Sequence, residues 1–265
     1  MATTYLDEII AHHRRRAALD TRDWRERLGF VRYEGPSLRA TLRDPDSSTV
    51  AVIAEVKRRS PSKGWLTREL VAAQLGARYQ LAGARAISVL TDEAYFAGSS
   101  EDLVAVVGSV SIPVLRKDFT VAANDVVDAA QMGAAAVLLI VAALDDDELR
   151  ALLNVAERCG LDALVEVHDL AEARRALAHG ARLIGVNQRN LRTFEVDPEH
   201  AASVISALPS EVVTVCESGL RSSDDVERAA SAGFDAVLVG ETFVTALNIE
   251  RTVESFASVE KVSRG

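Results

Sequence analysis

Two ionisable side chains, Glu55 and Lys57, alternate at the end of an apolar segment that begins at Val50. The segment VAVIAEVK is typical of a buried strand, in which alternate side chains point to the same face. Glu55 and Lys57 are therefore expected side by side, just before the turn-forming stretch 60–64. A carboxylate beside an ammonium suits proton transfer in catalysis. It could equally be a surface ion pair, which contributes little to stability, and the spacing alone leaves both interpretations open.

From residue 50 onwards, predicted strands and helices that would position this pair alternate regularly. Apolar stretches rich in Val, Ile and Leu alternate with Ala-rich stretches of helical periodicity. The predicted strands are 50–57, 85–91, 112–117, 135–141, 162–167, 182–187, 212–217 and 236–240. The predicted helices between and after them are 67–82, 99–109, 122–132, 145–159, 169–179, 197–207, 222–232 and 249–260. Eight such units predict an α/β fold, a single (β/α)8 TIM barrel with a parallel sheet.

A repeat of glycines supports the barrel. Gly83, Gly133, Gly180 and Gly233 each stand between a predicted helix and the next strand, about fifty residues apart. Glycine at such a position takes the left-handed conformation that stops a helix. No G-x-G-x-x-G follows the first strand, so a dinucleotide site is not expected.

Residues 1–47 lie outside this alternation and are expected to form an N-terminal helical extension to a barrel at 48–265. Residues 4–19 have the pattern of an amphipathic helix, and Ser37 is a candidate N-cap for one further helical turn. The run HHRRR at 12–16 could contact nucleic acid, but its acidic flanks favour a solvated helix face.

Composition narrows the possible functions. The chain has 265 residues, a formal net charge of −9 and only two cysteines. The charge argues against a nucleic-acid surface, and the Cys and His spacing predicts neither a disulfide framework nor a metal site. With no apolar leader and no run long enough to cross a bilayer, the expectation is a soluble cytoplasmic protein.

In barrels of this kind the reactive groups come from the carboxyl ends of the strands. Seven of the eight predicted strands end in ionisable or amide side chains. Lys117 and Glu166 stand out, because each ends a mainly apolar strand and neighbouring groups there can tune their pKa values for proton transfer. The last two strands end at Gly219 and Gly240, in loops that commonly offer backbone N–H groups to a phosphate.

Seven motifs of this sequence resemble those of a known family, indole-3-glycerol phosphate synthase of tryptophan biosynthesis. They are IAEVKRRSPSKG, YFAGS, IPVLRKDF, LLIVAAL, LVEVHD, IGVNQRNL and ESGL, in the family's order and spacing. The resemblance implies closure of the indole ring of 1-(2-carboxyphenylamino)-1-deoxyribulose 5-phosphate, with release of carbon dioxide and water. It also implies that no cofactor or metal takes part.

The resemblance further implies roles for individual residues. Lys117 would be the general acid that protonates the ketone oxygen, and Glu166 the general base that acts again in dehydration. Lys57 would hold the anthranilate carboxylate, while Glu55 shapes its field and assists proton transfer. The remaining implied site residues are Asn187 and Ser218 as polar positioning groups, Arg189 for the carboxylates, Glu217 in the same pocket, Ser60, Gly219, Gly240 and Glu241 around the phosphate, and Phe96, Phe119 and Leu138 as the apolar wall.

Two alternatives stay open from the sequence. One is a barrel like phosphoribosylanthranilate isomerase, although that enzyme uses an early cysteine and none lies near the first strand here. The other is a duplicate that binds a phosphorylated ligand without turnover. The expected partner in each case is a phosphorylated small molecule rather than nucleic acid or a membrane. We expect a monomer, with a weak dimer as the alternative, and the first helix over the barrel mouth.

Overall fold

Eight parallel strands form a closed barrel in the computed structural model, which describes residues 4–61, 63–189 and 195–262. Each strand pairs with the next along the chain, and the last pairs with the first through Ala51 and Ala236. The predicted (β/α)8 architecture is therefore confirmed. The strands are β1 (Ala51–Val56), β2 (Ala86–Leu90), β3 (Val114–Lys117), β4 (Ala136–Ile140), β5 (Asp162–Val167), β6 (Leu183–Asn187), β7 (Val213–Glu217) and β8 (Ala236–Val239).

Helices cover the outside of the barrel and also precede it. Three lie before β1: α1 (Tyr5–Ala18), α2 (Trp24–Leu28) and α3 (Leu38–Leu42). The others are α4 (Ala72–Leu81), α5 (Glu93–Phe96), α6 (Ser100–Val107), α7 (Ala123–Gln131), α8 (Asp146–Arg158), α9 (Leu170–Ala178), α10 (Pro198–Ser206), α11 (Ser223–Ala232), α12 (Glu241–Val244) and α13 (Ile249–Ala257). The four repeated glycines all have positive φ, as their predicted role at helix ends requires. None of the helices in the described ranges is both long enough and apolar enough to cross a membrane.

The loop after β1 differs from the sequence prediction. The helix predicted at 67–82 begins only at Ala72. A small antiparallel hairpin, Arg59–Ser60 with Gly64–Trp65, takes up the start of this stretch. The backbone N–H groups of Leu66 and Thr67 then both donate to the Arg58 carbonyl, at 2.8 and 3.2 Å. The backbone up to Thr67 is therefore held in the hairpin and its return to Arg58, and the helix begins after this loop.

Helix α3 closes the end of the barrel at which the strands begin. Ser37 caps it as predicted, since its hydroxyl accepts from the Ala40 N–H at 3.1 Å. Leu38 and Leu42 are almost fully buried. They pack in the barrel lumen with apolar side chains of the strands, among them Ala51, Leu115, Leu183 and Ala236. The N-terminal segment therefore supplies an apolar plug at the end opposite to the strand carboxyl ends.

Helix α1 lies at the other end, where the strands finish. Its residue Ile9 is buried and lines the cavity at that end. The predicted solvated face at 12–16 is wrong at His13, which is 4% exposed because its Nε2 contacts Asp92 Oδ2 at 2.8 Å. Arg14 reaches Glu148 at 2.6 Å and remains partly exposed. The expected position of the first helix agrees with this arrangement, while the division of the chain into 1–47 and 48–265 stays a prediction.

Hydrogen bonds at the plugged end join segments that are far apart in sequence. Arg43, just after α3, makes an ion pair with Asp235 at 2.6 Å. The Val50 N–H donates to the Val259 carbonyl at 3.0 Å, and the Lys261 N–H donates to the Ser48 carbonyl at 2.7 Å. The start of β1 is thereby fixed to residues that follow the last helix.

Candidate active site

The carboxyl ends of the strands surround a cavity of about 470 Å³. All the site residues expected from the sequence line this one cavity, although their roles are not tested by their positions. They are Glu55, Lys57, Ser60, Phe96, Lys117, Phe119, Leu138, Glu166, Asn187, Arg189, Glu217, Ser218, Gly219, Gly240 and Glu241. Convergence from so many strands follows from the parallel sheet, which gathers every strand end at one rim.

The alternation predicted for β1 brings Glu55 and Lys57 together. Lys57 Nζ donates to Glu55 Oε1 at 2.7 Å. Glu55 is 3% exposed, whereas Lys57 is partly exposed and reaches the open part of the cavity. Lys57 also lies 5.9 Å from the centre of the Phe96 ring. This is a partly buried pair facing a cavity, so the alternative of a simple surface ion pair does not hold.

Lys117, at the end of β3, lies between two carboxylates, Glu166 from β5 and Glu217 from β7 on the opposite side of the barrel. Its Nζ is 3.0 Å from Glu217 Oε2 and 3.3 Å from Glu166 Oε2. Burial alone would lower the pKa of Lys117. The negative charges of Glu217, Glu166 and Glu55 outweigh burial, so the pKa of the ammonium is raised above its ordinary value. These surroundings favour the protonated form of Lys117.

The two carboxylates that share Lys117 are in different electrostatic surroundings. Burial raises the pKa of Glu217 to about 7, and the neighbouring charge of Glu166 adds to this effect. Burial acts in the same direction on Glu166, but Lys117, His168 and the Asn187 amide outweigh it and lower its pKa. Two carboxyl groups whose pKa values are driven apart can serve as base and acid in one site. Here Glu166 is the ionised group and Glu217 can hold a proton near neutrality.

Two glycines provide the space that these buried carboxylates occupy. A side chain at Gly185 on β6 would collide with the carboxylate of Glu217 on the neighbouring strand β7. A side chain at Gly240, directly after β8, would collide in the same way with Glu55 on β1. The absence of a Cβ atom at these positions lets each carboxylate lie close to the neighbouring backbone.

The loops after β6 and β7 are joined by side-chain amides. Asn187 Nδ2 donates to Glu166 Oε1 at 3.0 Å, and Asn187 Oδ1 accepts the Arg189 N–H at 3.0 Å. Gln188 is buried and donates from Nε2 to the Ser218 carbonyl at 2.9 Å. Ser218 has φ of 70°, an uncommon value for a residue with a side chain. These bonds fix the orientation of Glu166 and the course of the loop that carries Gly219. The rest of the NQRNL motif, from residue 190, lies outside the described residues.

One side of the cavity is lined mainly by backbone and hydroxyl groups. Ser60 approaches from the loop after β1, and Gly219 from the loop after β7. Gly240 immediately precedes α12, whose first N–H groups, as in any helix, have no partners within it. Such N–H groups favour an anion. On this side of the cavity, Lys63 Nζ lies 3.9 Å from the carboxylate of Glu241. The positive charge of Lys63 therefore offsets the negative charge of Glu241.

The other side of the cavity is apolar. The rings of Phe96 and Phe119 lie 6.1 Å apart and are tilted by 40°. Leu138 on β4 completes the expected wall, and α1 adds Leu6 and Ile9 from above. A flat aromatic group fits such a surface.

Several cavity residues were missed at the level of the sequence. Lys63 and Arg221 both line the cavity and add positive charge near the Ser60 and Gly219 backbone. Both residues could have been inferred from the sequence, since Lys63 lies in the SPSKG loop and Arg221 follows ESGL directly. Tyr5, Leu6 and Ile9 had no comparable signal, because an amphipathic helix shows an apolar face without showing what that face covers.

One group of metal-ligating side chains occurs among the described residues: His13, Asp92 and Asp118. Its members are already engaged with protein partners. His13 Nε2 contacts Asp92, while Asp118 accepts from Arg116 at 2.7 Å and from the Thr91 hydroxyl at 2.6 Å. These bonds explain the burial of the group as a link between α1 and the rim.

Comparison with known proteins gives a consistent family. A family model described as indole-3-glycerol phosphate synthase matches residues 6–256. The chain is 44% identical over 242 residues to the indole-3-glycerol phosphate synthase of Chlorobium chlorochromatii, covering 90% of this chain and 94% of that protein. It is 48% identical over 250 residues to that of Mycobacterium sp. strain KMS, covering 92% of this chain and 90% of that protein.

Solved structures show the same fold at much lower sequence identity. The chain is similar to thiamine phosphate pyrophosphorylase from Pyrococcus furiosus, with a TM-score of 0.61 and 16% identity over 83% of this chain and 96% of that one. It is also similar to the N-acetylmannosamine-6-phosphate 2-epimerase from Clostridium perfringens, with a TM-score of 0.60 and 13% identity over 74% of this chain and 89% of that one. At these identities the likeness concerns the fold alone.

Proposed function

The chain belongs to the indole-3-glycerol phosphate synthase family, and from this premise we propose how its cavity closes the indole ring. The protein is a carboxy-lyase of tryptophan biosynthesis. Its substrate is 1-(2-carboxyphenylamino)-1-deoxyribulose 5-phosphate, and the products are indole-3-glycerol phosphate, carbon dioxide and water. The single observation that carries the mechanism is the partly buried ammonium of Lys117 between the carboxylates of Glu166 and Glu217.

Lys117 is proposed as the general acid of ring closure. The ring carbon that bears the carboxylate attacks the ketone carbon, and negative charge develops on the ketone oxygen. An ammonium with a raised pKa stays protonated until that oxygen becomes an alkoxide, which is basic enough to take the proton. Loss of carbon dioxide then restores the aromatic ring, and this step needs orientation more than a cofactor.

Glu166 is proposed as the general base of dehydration. The hydroxyl group formed in the first step leaves as water after it is protonated, while a proton is removed from the carbon next to the ring nitrogen. The lowered pKa of Glu166 keeps this group ionised and able to accept that proton, and Asn187 fixes its orientation. Glu217, with its raised pKa, can hold a proton near the leaving oxygen.

Binding of the substrate uses the two unlike sides of the cavity. The anthranilate ring is proposed to lie against Phe96, Phe119 and Leu138, with its carboxylate held by Lys57. Arg189 orients the carboxylates, and Glu55 sets the field around Lys57. The phosphate is proposed to lie at the opposite side, against the Ser60 hydroxyl and the backbone of residues 219, 240 and 241. Anchoring the substrate at its aromatic ring and at its phosphate holds it in the bent geometry that ring closure needs.

The test is incubation of the purified protein with the carboxyphenylamino-deoxyribulose phosphate while indole fluorescence is followed. We expect the signal to rise, to be unchanged by a metal chelator, and to fall by about two orders of magnitude in Glu166→Gln. Binding of the substrate without any indole signal from the wild-type protein would overturn the proposed mechanism. The cytoplasmic location and the monomeric state expected from the sequence stay predictions.

A further inference from the structure

A second carboxylate–imidazole pair stands directly behind Glu166. His168 follows the end of β5, and its Nδ1 lies 3.1 Å from Glu172 Oε2 in the first turn of α9. The same carboxylate oxygen accepts the backbone N–H of His168 at 2.8 Å. Glu172 thus fixes both the backbone and the ring of His168, and its contact with Nδ1 leaves Nε2 to face the barrel.

The other ring nitrogen points towards the catalytic carboxylate. His168 Nε2 is 3.6 Å from Glu166 Oε1, just beyond hydrogen-bond distance. Nε2 is buried, and no hydrogen-bond partner for it occurs in the part of the chain that the structure describes. A buried polar atom without a partner is costly and calls for an explanation. A shift of about 0.6 Å would bring Nε2 into hydrogen-bond range of Glu166.

Three carboxylates act on the charge of His168. Glu166 and Glu217 face it from β5 and β7, and Glu172 faces it from α9. Burial alone would lower the pKa of His168, but the hydrogen bond with Glu172 and these negative charges raise it above its ordinary value. Lys117 on β3 contacts Glu166 on the other oxygen, and His200 of α10 contacts the His168 carbonyl at 2.9 Å. The imidazolium form, in turn, favours an ionised Glu166.

Glu166 needs His168 as a partner when the substrate is bound. In the structure Glu166 is contacted by the Lys117 ammonium at 3.3 Å and by the Asn187 amide at 3.0 Å. In the proposed mechanism Lys117 turns to the substrate oxygen and gives up a proton. Glu166 then loses its cationic partner at the stage at which it must remain an oriented carboxylate.

We propose that His168, held by Glu172, is a positioning residue that donates from Nε2 to Glu166 when Lys117 engages the substrate. This inference rests on the proposed roles of Lys117 and Glu166. His168 transfers no proton to the substrate and is not among the described residues that line the cavity. It acts through Glu166 alone, in the way that an outer partner orients a reacting group.

The experiment compares His168→Gln and Glu172→Gln with the wild-type protein over a range of pH. Loss of the imidazolium should lower kcat about ten- to hundredfold and leave KM within about twofold. The acidic limb of the kcat profile, which reports ionisation of Glu166 in the complex, should move to higher pH. Glu172→Gln should act in the same direction with a smaller effect, and the double variant should be no worse than His168→Gln.

The matched control is His179→Gln. His179 also lies near a carboxylate, with Nε2 at 3.6 Å from Asp146, but it is at the end of α9 and away from the cavity. Its substitution should leave kcat and the pH profile unchanged.

Different results separate this inference from the mechanism on which it rests. If the wild-type protein turns over and Glu166→Gln does not, an unmoved acidic limb in His168→Gln overturns the role of His168 alone. Additive losses in the double variant would also contradict it, because Glu172 is proposed to act only through His168. Should His168→Gln fail to fold, Glu172→Gln decides the question by the same shift of the acidic limb.

Discussion

At the end where the strands begin, Leu38 and Leu42 fill the lumen against other apolar side chains. At the end where the strands finish, Lys117 lies among buried carboxylates beside an open cavity. Both ends are covered by helices of the same N-terminal segment. The plug helix α3 adds buried apolar area, whereas α1 is attached by polar contacts such as His13 with Asp92.

The difference shows how one barrel separates stability from chemistry. Buried apolar groups favour the folded state directly, at about 25 cal/mol per Å² removed from water. Buried carboxylates cost free energy unless a cation compensates them. The plugged end can therefore support the less favourable arrangement at the open end. Substitutions at the two ends should change different observables.

The largest effect is expected for Lys117→Ala. Turnover should fall by at least about a thousandfold, because the substitution removes both the acid and the ammonium that lies within 3.3 Å of Glu166 and Glu217. Circular dichroism should show a folded barrel. The control is Lys261→Ala at the plugged end, which removes an ion pair with Asp235. Near-normal turnover in Lys117→Ala would contradict its role as the acid.

The next effect concerns the plug. Leu38→Ala should lower the free energy of unfolding by about 2–5 kcal/mol, as expected for a cavity in a packed core. Turnover per folded molecule should stay within about twofold, because the cavity that binds substrate is at the other end. Denaturant unfolding measures the first quantity and steady-state kinetics the second. Leu19→Ala, at a residue that is 82% exposed, is the matched control and should change neither. A large loss of turnover at unchanged stability would show that the two ends are coupled.

A smaller, pH-dependent effect is expected for Glu217→Gln. In the folded protein the pKa of Glu217 is raised from its ordinary 4.5 to about 7. Between these values the folded state keeps a proton that the unfolded state has lost, so the free energy of unfolding falls as pH rises through this window. The stability of the wild-type protein relative to Glu217→Gln should therefore decrease from pH 4.5 to 7. Unfolding curves at several pH values test this, with the exposed Glu211→Gln as control. A difference that increases with pH would contradict the raised pKa.

The smallest effect is expected where α1 is attached at the surface. Arg14 contacts Glu148 and the Ala143 carbonyl, and its side chain is 44% exposed. Arg14→Ala should cost less than about 1 kcal/mol, because solvent and salt screen such a pair. A double-mutant cycle with Glu148→Gln at low and high salt measures the interaction. A coupling that does not change with salt would show that the pair is effectively buried.

Much of the open end was predictable from the sequence because its signals are local. The alternation of Glu55 and Lys57, the polar residues at strand ends and the glycines before strands each depend on a few adjacent residues. Once a barrel is inferred, the parallel sheet brings all strand ends to one rim, and the expected residues do line one cavity. The hydrogen bonds that distinguish Glu166 from Glu217 depend on strands distant in sequence, so they could not be read in this way.

The plug and the attachment of α1 were less predictable for the same physical reason. Leu38 and Leu42, four residues apart, show that α3 has an apolar face but not which surface that face covers. His13 was expected in solvent because the run at 12–16 has acidic flanks, and its burial depends on residues distant in sequence, Asp92 and Phe119. The late start of α4 at Ala72 follows from the loop before it, in which the hairpin Arg59–Ser60 with Gly64–Trp65 and the Arg58 carbonyl hold the backbone. Helical periodicity carries no information about such a competing partner.

The bonds that fasten the plugged end have a consequence for synthesis on the ribosome. Leu38, Leu42 and Arg43 are translated long before their partners Ala236 and Asp235, since Arg43 and Asp235 are 192 residues apart. Helix α3 is therefore incompletely covered until β8 has been synthesised. Contacts between residues this distant in sequence form slowly, and the apolar surface that they will bury stays exposed until they form. Closure of the barrel therefore waits for translation of β8, and the growing chain is exposed to aggregation in the interval before it.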